Sequence, residues 1–247
     1  MSAHDTGRRL SHATMTANLP WTHALALPAP PQHIVFYRMV CEFNLRPDTY
    51  LHVTRVPADW PPAYQHVSRF GEAGRRVIAR YLLDVHGAAQ SMDFAAATPL
   101  ARLALLPGAA LEQLASYAGL LLHRLWLREA LQQRRVRAEV VGKLGADALE
   151  LALERAPEFG ALGDTLEPWR DDPAALPAVI RARGGRLLAD FIGAAGMAVE
   201  RRARLKFNLA IDSEAPYLLN HAQRDQFGEL LFLYLIPERF AAWDWLF

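Results

Sequence analysis

Residues 108–128 of this 247-residue chain are GAALEQLASYAGLLLHRLWLR, the centre of the segment from Pro99 to Pro157 that decides the fold. Its apolar residues follow one another by three or four positions or stand side by side: Leu111, Leu114, Ala118, Leu121, Leu122 and Leu125. Such spacing is typical of a helix with one broad buried face. Pro107 and Gly108 interrupt the chain just before it. The pattern predicts a long helix that runs through Arg128 and could continue to Arg137.

The composition is that of a globular protein with one large core. Hydrophobic residues make up 52% of the chain, which is enough to bury such a core without disulfides or metal. Cys41 is the only cysteine, so no disulfide within the chain and no thiolate-rich metal site can form, and a reducing cytoplasm is favoured. The formal net charge of +1 gives no overall signal for nucleic acid or an anionic membrane.

No segment has the pattern of a membrane span or of a secretory signal. The longest candidate span, Leu114 to Leu131, is broken by five polar residues: Ser116, His123, Arg124, Arg128 and Glu129. Near the amino terminus, Arg8 and Arg9 are followed by small and polar residues rather than by an apolar run. We therefore expect a soluble protein that reaches a membrane only through a partner.

The domain organisation is predicted from proline, glycine and charge. Residues 1–32 contain four prolines and are expected to form a mobile leader. Residues 33–247 are expected to form a single helical domain, which could consist of two lobes joined by the connection 157–177 with its four prolines. The predicted fold class is mainly α, a compact multi-helix globular domain.

Two stretches near the carboxyl terminus depart from plain helical spacing. Basic or polar residues alternate with apolar ones from Arg204 to Leu209, which predicts a short half-exposed strand or an extended edge near residues 203–210. The last residues, Trp243 to Phe247, are rich in aromatic side chains. They either fold back on the core, which we favour because exposed aromatic residues at that density promote aggregation, or form a recognition tail.

Motifs of catalysis, cofactor binding and metal binding are missing from the sequence. None of the nine histidines pairs at a spacing of four, and no HExxH occurs. A G-x-S-x-G elbow, a P-loop and a G-x-G-x-x-G loop are also missing. We therefore predict no catalytic site, no cofactor and no metal, and a protein that is not an enzyme.

Two basic runs, 124–137 and 201–206, could form binding surfaces. The first contains five arginines and a single glutamate, and Arg124, Arg128 and Arg135 lie at helical spacings of four and seven. This run could be a solvated face balanced by acidic groups elsewhere, or a docking surface for an acidic protein. Together with the second run it could also serve a helical nucleic-acid-binding regulator, although neither helix-turn-helix spacing nor interleaved aromatic residues are present.

An ordered set of short motifs resembles one known family. The amino-terminal set is FNLRPDTYLH at residues 43–52, then Val56-Pro57 and Trp60. The central and final sets are Leu103 to Leu106, Leu120 to His123, Leu127-Arg128, Leu144-Gly145, Leu149 to Pro157, Arg204 to Phe207 and Leu246-Phe247. In order and spacing they are similar to the type III secretion sorting-platform family SctK, also called YscK, PscK, MxiK or OrgA. The likeness covers about residue 41 onward.

This resemblance implies a non-enzymatic adaptor at the cytoplasmic face of the bacterial inner membrane. Such proteins link the cytoplasmic domain of the inner-membrane ring protein SctD to the pod protein SctQ, in a platform that also holds the SctL stalk and the ATPase. No nucleic acid is expected, and a membrane is contacted only through SctD. The alternatives are the nucleic-acid-binding regulator and an uncharacterised helical enzyme, which a deep polar pocket with a strongly perturbed acid or base would favour.

On the adaptor hypothesis we predict two partner-binding surfaces. The first comprises residues of the amino-terminal motifs: Pro47, Tyr50, Leu51, His52 and Trp60. The second is the arginine face of the central helix, formed by Arg124, Arg128 and Arg135.

Overall fold

The computed structural model describes residues 32–56, 66–157, 159 and 166–247. Within these residues the chain is helical and contains no strand, which confirms the predicted fold class. The α-helices are α1 (Gln32–Leu45), α2 (Gly71–Val85), α3 (Pro99–Leu103), α4 (Gly108–Leu122), α5 (Arg124–Ala130), α6 (Arg134–Leu144), α7 (Ala146–Glu150), α8 (Leu176–Gly193), α9 (Met197–Arg204), α10 (His221–Glu229) and α11 (Ile236–Arg239). A π-helical segment, Leu151–Arg155, extends α7, and another, Leu230–Leu235, joins α10 to α11. Short 3₁₀ turns are Pro47–Thr49, Val53–Arg55, Val67–Phe70, Glu167–Trp169, Leu209–Ser213 and Ala241–Leu246.

The core is built around a close crossing of α4 and α8. Added to Gly119, a Cβ would lie 2.0 Å from the carbonyl oxygen of Ile180, and added to Gly184, it would lie 1.9 Å from that of Ala115. The two backbones therefore touch, which only glycine permits at these positions. Around this crossing the buried hydrophobic residues form one cluster that extends from Val40 to Leu246.

The predicted long helix is divided into three. Helix α4 ends at Leu122, because His123 leaves helical geometry with φ −103° and ψ 16°, and α5 begins at Arg124. A turn then separates α5 from α6, which begins at Arg134. The predicted continuation of one helix through Arg128 to Arg137 is thus wrong, and the arginines of this run lie on different helices.

The prediction of a short strand or extended edge near residues 203–210 is also wrong. Helix α9 continues to Arg204, a turn follows, and Leu209–Ser213 is a 3₁₀ helix. The alternating pattern misleads because Lys206, one of its polar members, is buried rather than facing water. Asn208 ends the turn by accepting a hydrogen bond from the amide of Ala210.

The aromatic carboxyl terminus folds back on the core, as we expected. Leu246 is buried, and the ring of Phe247 lies 5.2 Å from that of Phe232. The carbonyl oxygen of Leu246 accepts a hydrogen bond from Arg102 Nη1 at 3.1 Å. These contacts join the last residues to α3 and to the π-helical segment before α11.

The predicted leader is residues 1–32; its residues 1–31 lie outside the described residues, as do residues 57–65, 158 and 160–165, and α1 begins at its last residue, Gln32. The two-lobe arrangement stays a prediction, since residues 158 and 160–165 of the 157–177 connection are among them. In the described part of that connection, Trp169 packs beneath the guanidinium of Arg183, whose Cζ is 4.7 Å from the ring centroid. No helix of the described chain is both long and apolar enough to cross a membrane.

Candidate docking surfaces

The motif FNLRPDTYLH at residues 43–52 forms the tight connection after α1. Arg46 donates two hydrogen bonds to Asp48, both of 2.9 Å, and a third to Glu72 on α2 at 2.7 Å. Pro47 begins a 3₁₀ turn and is buried. Its side chain packs inside the protein, and its predicted contact with a partner stays a prediction.

Tyr50 is held by the end of α1. Its hydroxyl donates a hydrogen bond of 2.7 Å to the carbonyl oxygen of Phe43, and the two rings stack with centroids 5.9 Å apart. Burial raises the pKa of Tyr50 far above its ordinary value. This tyrosine thus fixes the position of the motif against α1.

Lys206 closes the same region from the carboxyl-terminal half of the chain. Its side chain is buried, and Nζ donates hydrogen bonds to the carbonyl oxygens of Ala104 at 2.7 Å and Leu106 at 2.9 Å. Nζ also lies 5.1 Å from the ring centroid of Phe43 and 5.0 Å from that of Tyr50. Burial lowers the pKa of Lys206 to about 7. The side chain thus joins the main chain near α3 to the aromatic pair of the motif, and it is one of the residues that line the groove described below.

His52 links the motif to both α4 and α9. Its backbone N–H donates a hydrogen bond of 2.8 Å to the carbonyl oxygen of Leu205, just beyond α9. Its Nε2 lies 2.5 Å from Glu112 Oε1 on α4, and its Nδ1 lies 2.7 Å from Thr54 Oγ1. Both ring nitrogens therefore have partners that hold the imidazole in place.

A groove of about 600 Å³ lies beside these residues, and we call it the His52 groove. Leu51, His52, Val53, Glu112 and Trp243 are among the residues that line it. Val53 has 75% of its surface exposed at the rim. The groove thus combines an exposed aliphatic rim with a fixed histidine–glutamate pair. Trp60, which we predicted to contribute to this surface, lies outside the described residues.

The predicted arginine face of the central helix is not a single face. Arg124 is only 8% exposed and donates hydrogen bonds of 2.7 Å to the carbonyl oxygens of Leu153 and Ala156. The prediction of an outward Arg124 is therefore wrong: the guanidinium satisfies carbonyl groups at the end of the π-helical segment after α7. Arg128 on α5 and Arg135 on α6 are exposed, and Arg128 Nη2 donates to the carbonyl oxygen of Leu153 at 3.2 Å.

A second groove, of about 740 Å³, opens between α6 and α7, and we call it the arginine groove. Apolar and charged side chains line it: Arg128, Leu131, Gln132, Arg137, Val141, Ala146, Leu149, Glu150, Leu153 and Glu154. Arg135 is not among them. The sequence pattern did not identify Arg137 as a residue of this surface, because the position of its side chain in the groove depends on the turn between α5 and α6.

The basic side chains of the second run, 201–206, bind other groups of the same chain. Arg202 is fully buried and donates to the carbonyl oxygens of Ala88 at 2.6 Å, Ser91 at 2.7 Å and Ala198 at 2.8 Å. Arg204 forms ion pairs with Glu200 at 3.1 Å and Asp190 at 3.6 Å. The run therefore provides no continuous basic surface, which weakens the alternative of a nucleic-acid-binding regulator.

Sequence patterns also missed Asn44 and Arg55, which join distant parts of the chain. Asn44 Nδ2 donates to the carbonyl oxygen of Asp93 at 2.7 Å, and the amide of Asp93 donates back to Asn44 Oδ1 at 3.1 Å. Arg55 donates to the carbonyl oxygen of Phe207 at 2.9 Å and to Asp212 at 2.8 Å. The only signal in the sequence was the position of Asn44 within the family motif.

These features define the class of the protein as a helical component of the type III secretion apparatus, since a family model of that apparatus matches the chain over residues 39–236. The family is described as YOP proteins translocation protein K (YscK), and the chain belongs to it; YscK is the SctK family of type III secretion proteins. The resemblance drawn from the motifs is thereby confirmed. Neither a curated protein nor a solved structure matches this chain.

Proposed function

We propose that this protein is a non-enzymatic adaptor of the type III secretion sorting platform that links the cytoplasmic domain of SctD to the pod protein SctQ. The observation that carries the proposal is the family match over residues 39–236. An adaptor of this kind works at the cytoplasmic face of the inner membrane and reaches the SctL stalk and the ATPase indirectly.

The described structure supports this role by the way it uses its polar groups. Lys206, Arg202 and Arg124 all donate to backbone carbonyl oxygens inside the fold, which stabilises the helices rather than preparing a reaction centre. Among the grooves on the described part of the chain, the His52 groove and the arginine groove share no lining residue. Two separate surfaces are what a protein needs to hold two partners together.

We assign one partner to each groove. Leu51 and His52 belong to the first surface, beside Tyr50, and Arg128 and Arg137 belong to the second, while Arg135 lies outside that groove. Interfaces are commonly rich in aromatic and arginine side chains. The His52 groove carries Tyr50 and Trp243, and the arginine groove carries Arg128 and Arg137.

The proposal is tested by co-purification of the full chain with SctQ and with the cytoplasmic domain of SctD from the same secretion system. We expect both partners to be retained, separately and together. A correctly folded chain that retains neither of them would contradict the adaptor role.

A further inference from the structure

The arginine groove has an apolar floor between two charged walls. Leu131 and Leu149 are buried at its base, and Val141 and Leu153 are half-buried beside them. Val141 and Leu153 are therefore the apolar side chains that an occupant can contact, within a lining whose accessible surface is mostly polar.

The two walls carry opposite charges. Arg128 and Arg137 stand on the wall formed by α5 and α6, and Glu150 and Glu154 stand on the wall formed by α7 and its π-helical extension. Helical spacing also places Arg134 on the side of α6 that carries Arg137 and Val141. An occupant that fits both walls must therefore be acidic along one flank and basic along the other.

The first turn of α6 adds a reason for an acidic contact. This turn contains arginines and no acidic residue, although the positive end of a helix dipole disfavours cations there. Among the described residues, Arg134, Arg135 and Arg137 take part in no ion pair. An acidic flank placed against this turn would supply the missing counter-charge.

We propose that the arginine groove binds an amphipathic helix of a partner protein, with its acidic flank against Arg128 and Arg137 and its basic flank against Glu150 and Glu154. Its apolar face covers Val141 and Leu153. The inference rests on the proposed adaptor function, which requires such a partner. The chain's own residues 1–31 are a poor occupant, because Asp5 is their only acidic residue and they include Arg8 and Arg9.

The probe is a designed helical peptide of about 18 residues, five turns long, with leucines on one face, glutamates on one flank and lysines on the other. Its binding to the full chain is measured by fluorescence anisotropy. We expect Arg137→Glu to weaken binding about tenfold, because it places like charges against the acidic flank. Arg135→Glu is the matched control: it makes the same charge change in the same turn outside the groove, and we expect at most about a threefold loss.

Two further peptides test the chemistry of the groove. Replacing the glutamate flank with lysine, or the leucine face with serine, is expected to abolish binding. Equal losses from Arg137→Glu and Arg135→Glu, with circular dichroism showing both variants folded, would overturn the inference. The inference would also be overturned if a single-stranded oligonucleotide with as many phosphates as the peptide has glutamates bound more tightly than the peptide, or if a stable dimer of the chain blocked the groove.

The same variants separate this inference from the adaptor role. If the chain retains SctQ and SctD but Arg137→Glu changes neither affinity, the groove assignment fails and the adaptor role stands. If the chain binds the peptide through Arg137 but retains neither protein, the adaptor role fails and the groove assignment stands.

Discussion

Lys206 and Arg202 are charged residues that have a structural role inside the protein. Both lie next to or within α9, and both donate to carbonyl oxygens about a hundred positions earlier in the chain, at Ala104 and Ala88. A buried cation is tolerated when its donors are satisfied in this way, and removing it leaves carbonyl groups without partners. These two residues thus join the amino-terminal and carboxyl-terminal halves of the fold.

The buried Lys206 predicts an unusual dependence of stability on pH. Burial lowers its pKa to about 7 from an ordinary value of 10.5, so between these values the unfolded chain binds a proton that the folded chain does not. The free energy of unfolding should therefore rise with pH, by about 1 kcal/mol per pH unit between about pH 7.5 and 9.5. Above about pH 10 the raised pKa of Tyr50 opposes this gain, because the unfolded tyrosine ionises first.

The measurement is urea unfolding of the wild type and of Lys206→Met across that pH range. The variant should lack the rise, while Lys143→Met, which removes an exposed lysine, should keep it. An equal slope in the wild type and Lys206→Met would show that the proton is bound and released elsewhere.

At the scale of elements, the crossing of α4 and α8 is the contact that the rest of the fold depends on. Because the backbones touch at Gly119 and Gly184, neither helix can shift to make room for a larger residue. A methyl group at either glycine would meet main-chain atoms, which cannot rotate away as a side chain can.

Gly119→Ala is therefore expected to lower the free energy of unfolding by about 3 kcal/mol, the cost of overpacking a rigid contact. Gly142→Ala in α6 is the matched control, because a Cβ there meets nothing within 4 Å. That variant should be stabilised by about 0.5 kcal/mol through the better helix propensity of alanine. Chemical denaturation compares the two, and a Gly119→Ala protein as stable as the wild type would mean that the helices do not cross this closely.

The sequence was informative about elements and much less so about contacts between them. Periodic leucines predicted helices because burial on one face leaves a pattern within a single segment. The break at His123, the strand wrongly expected near residues 203–210 and the burial of Arg124 all depend on partners far along the chain. The crossing of α4 and α8 could not be predicted from the sequence either, since Gly184 resembles any glycine within a helical run.

At the scale of the whole molecule, one continuous core supports several grooves in the described chain, and two of them, the His52 groove and the arginine groove, are lined by different residues. The His52 groove lies where α4 meets the motif after α1, and the arginine groove lies between α6 and α7. A rigid core between the two surfaces lets a protein hold two partners at a fixed separation, because neither partner needs the other to move.

This arrangement predicts that a substitution in one groove weakens the binding of one partner and leaves the binding of the other partner unchanged. Val53→Glu places a charge on the exposed aliphatic rim of the His52 groove, and Arg137→Glu reverses a charge in the arginine groove. We expect each variant to weaken one of the two partners, SctQ or the SctD cytoplasmic domain, about tenfold and to retain the other, since single interface substitutions act locally. Val85→Glu is the control for Val53→Glu, because Val85 is 53% exposed on α2 and lines neither groove. Size-exclusion chromatography should show a ternary complex for the wild type and the control but only binary complexes for the two variants. If Val53→Glu and Arg137→Glu instead lost the same partner, a single surface would bind that partner and the assignment of one partner to each groove would be wrong.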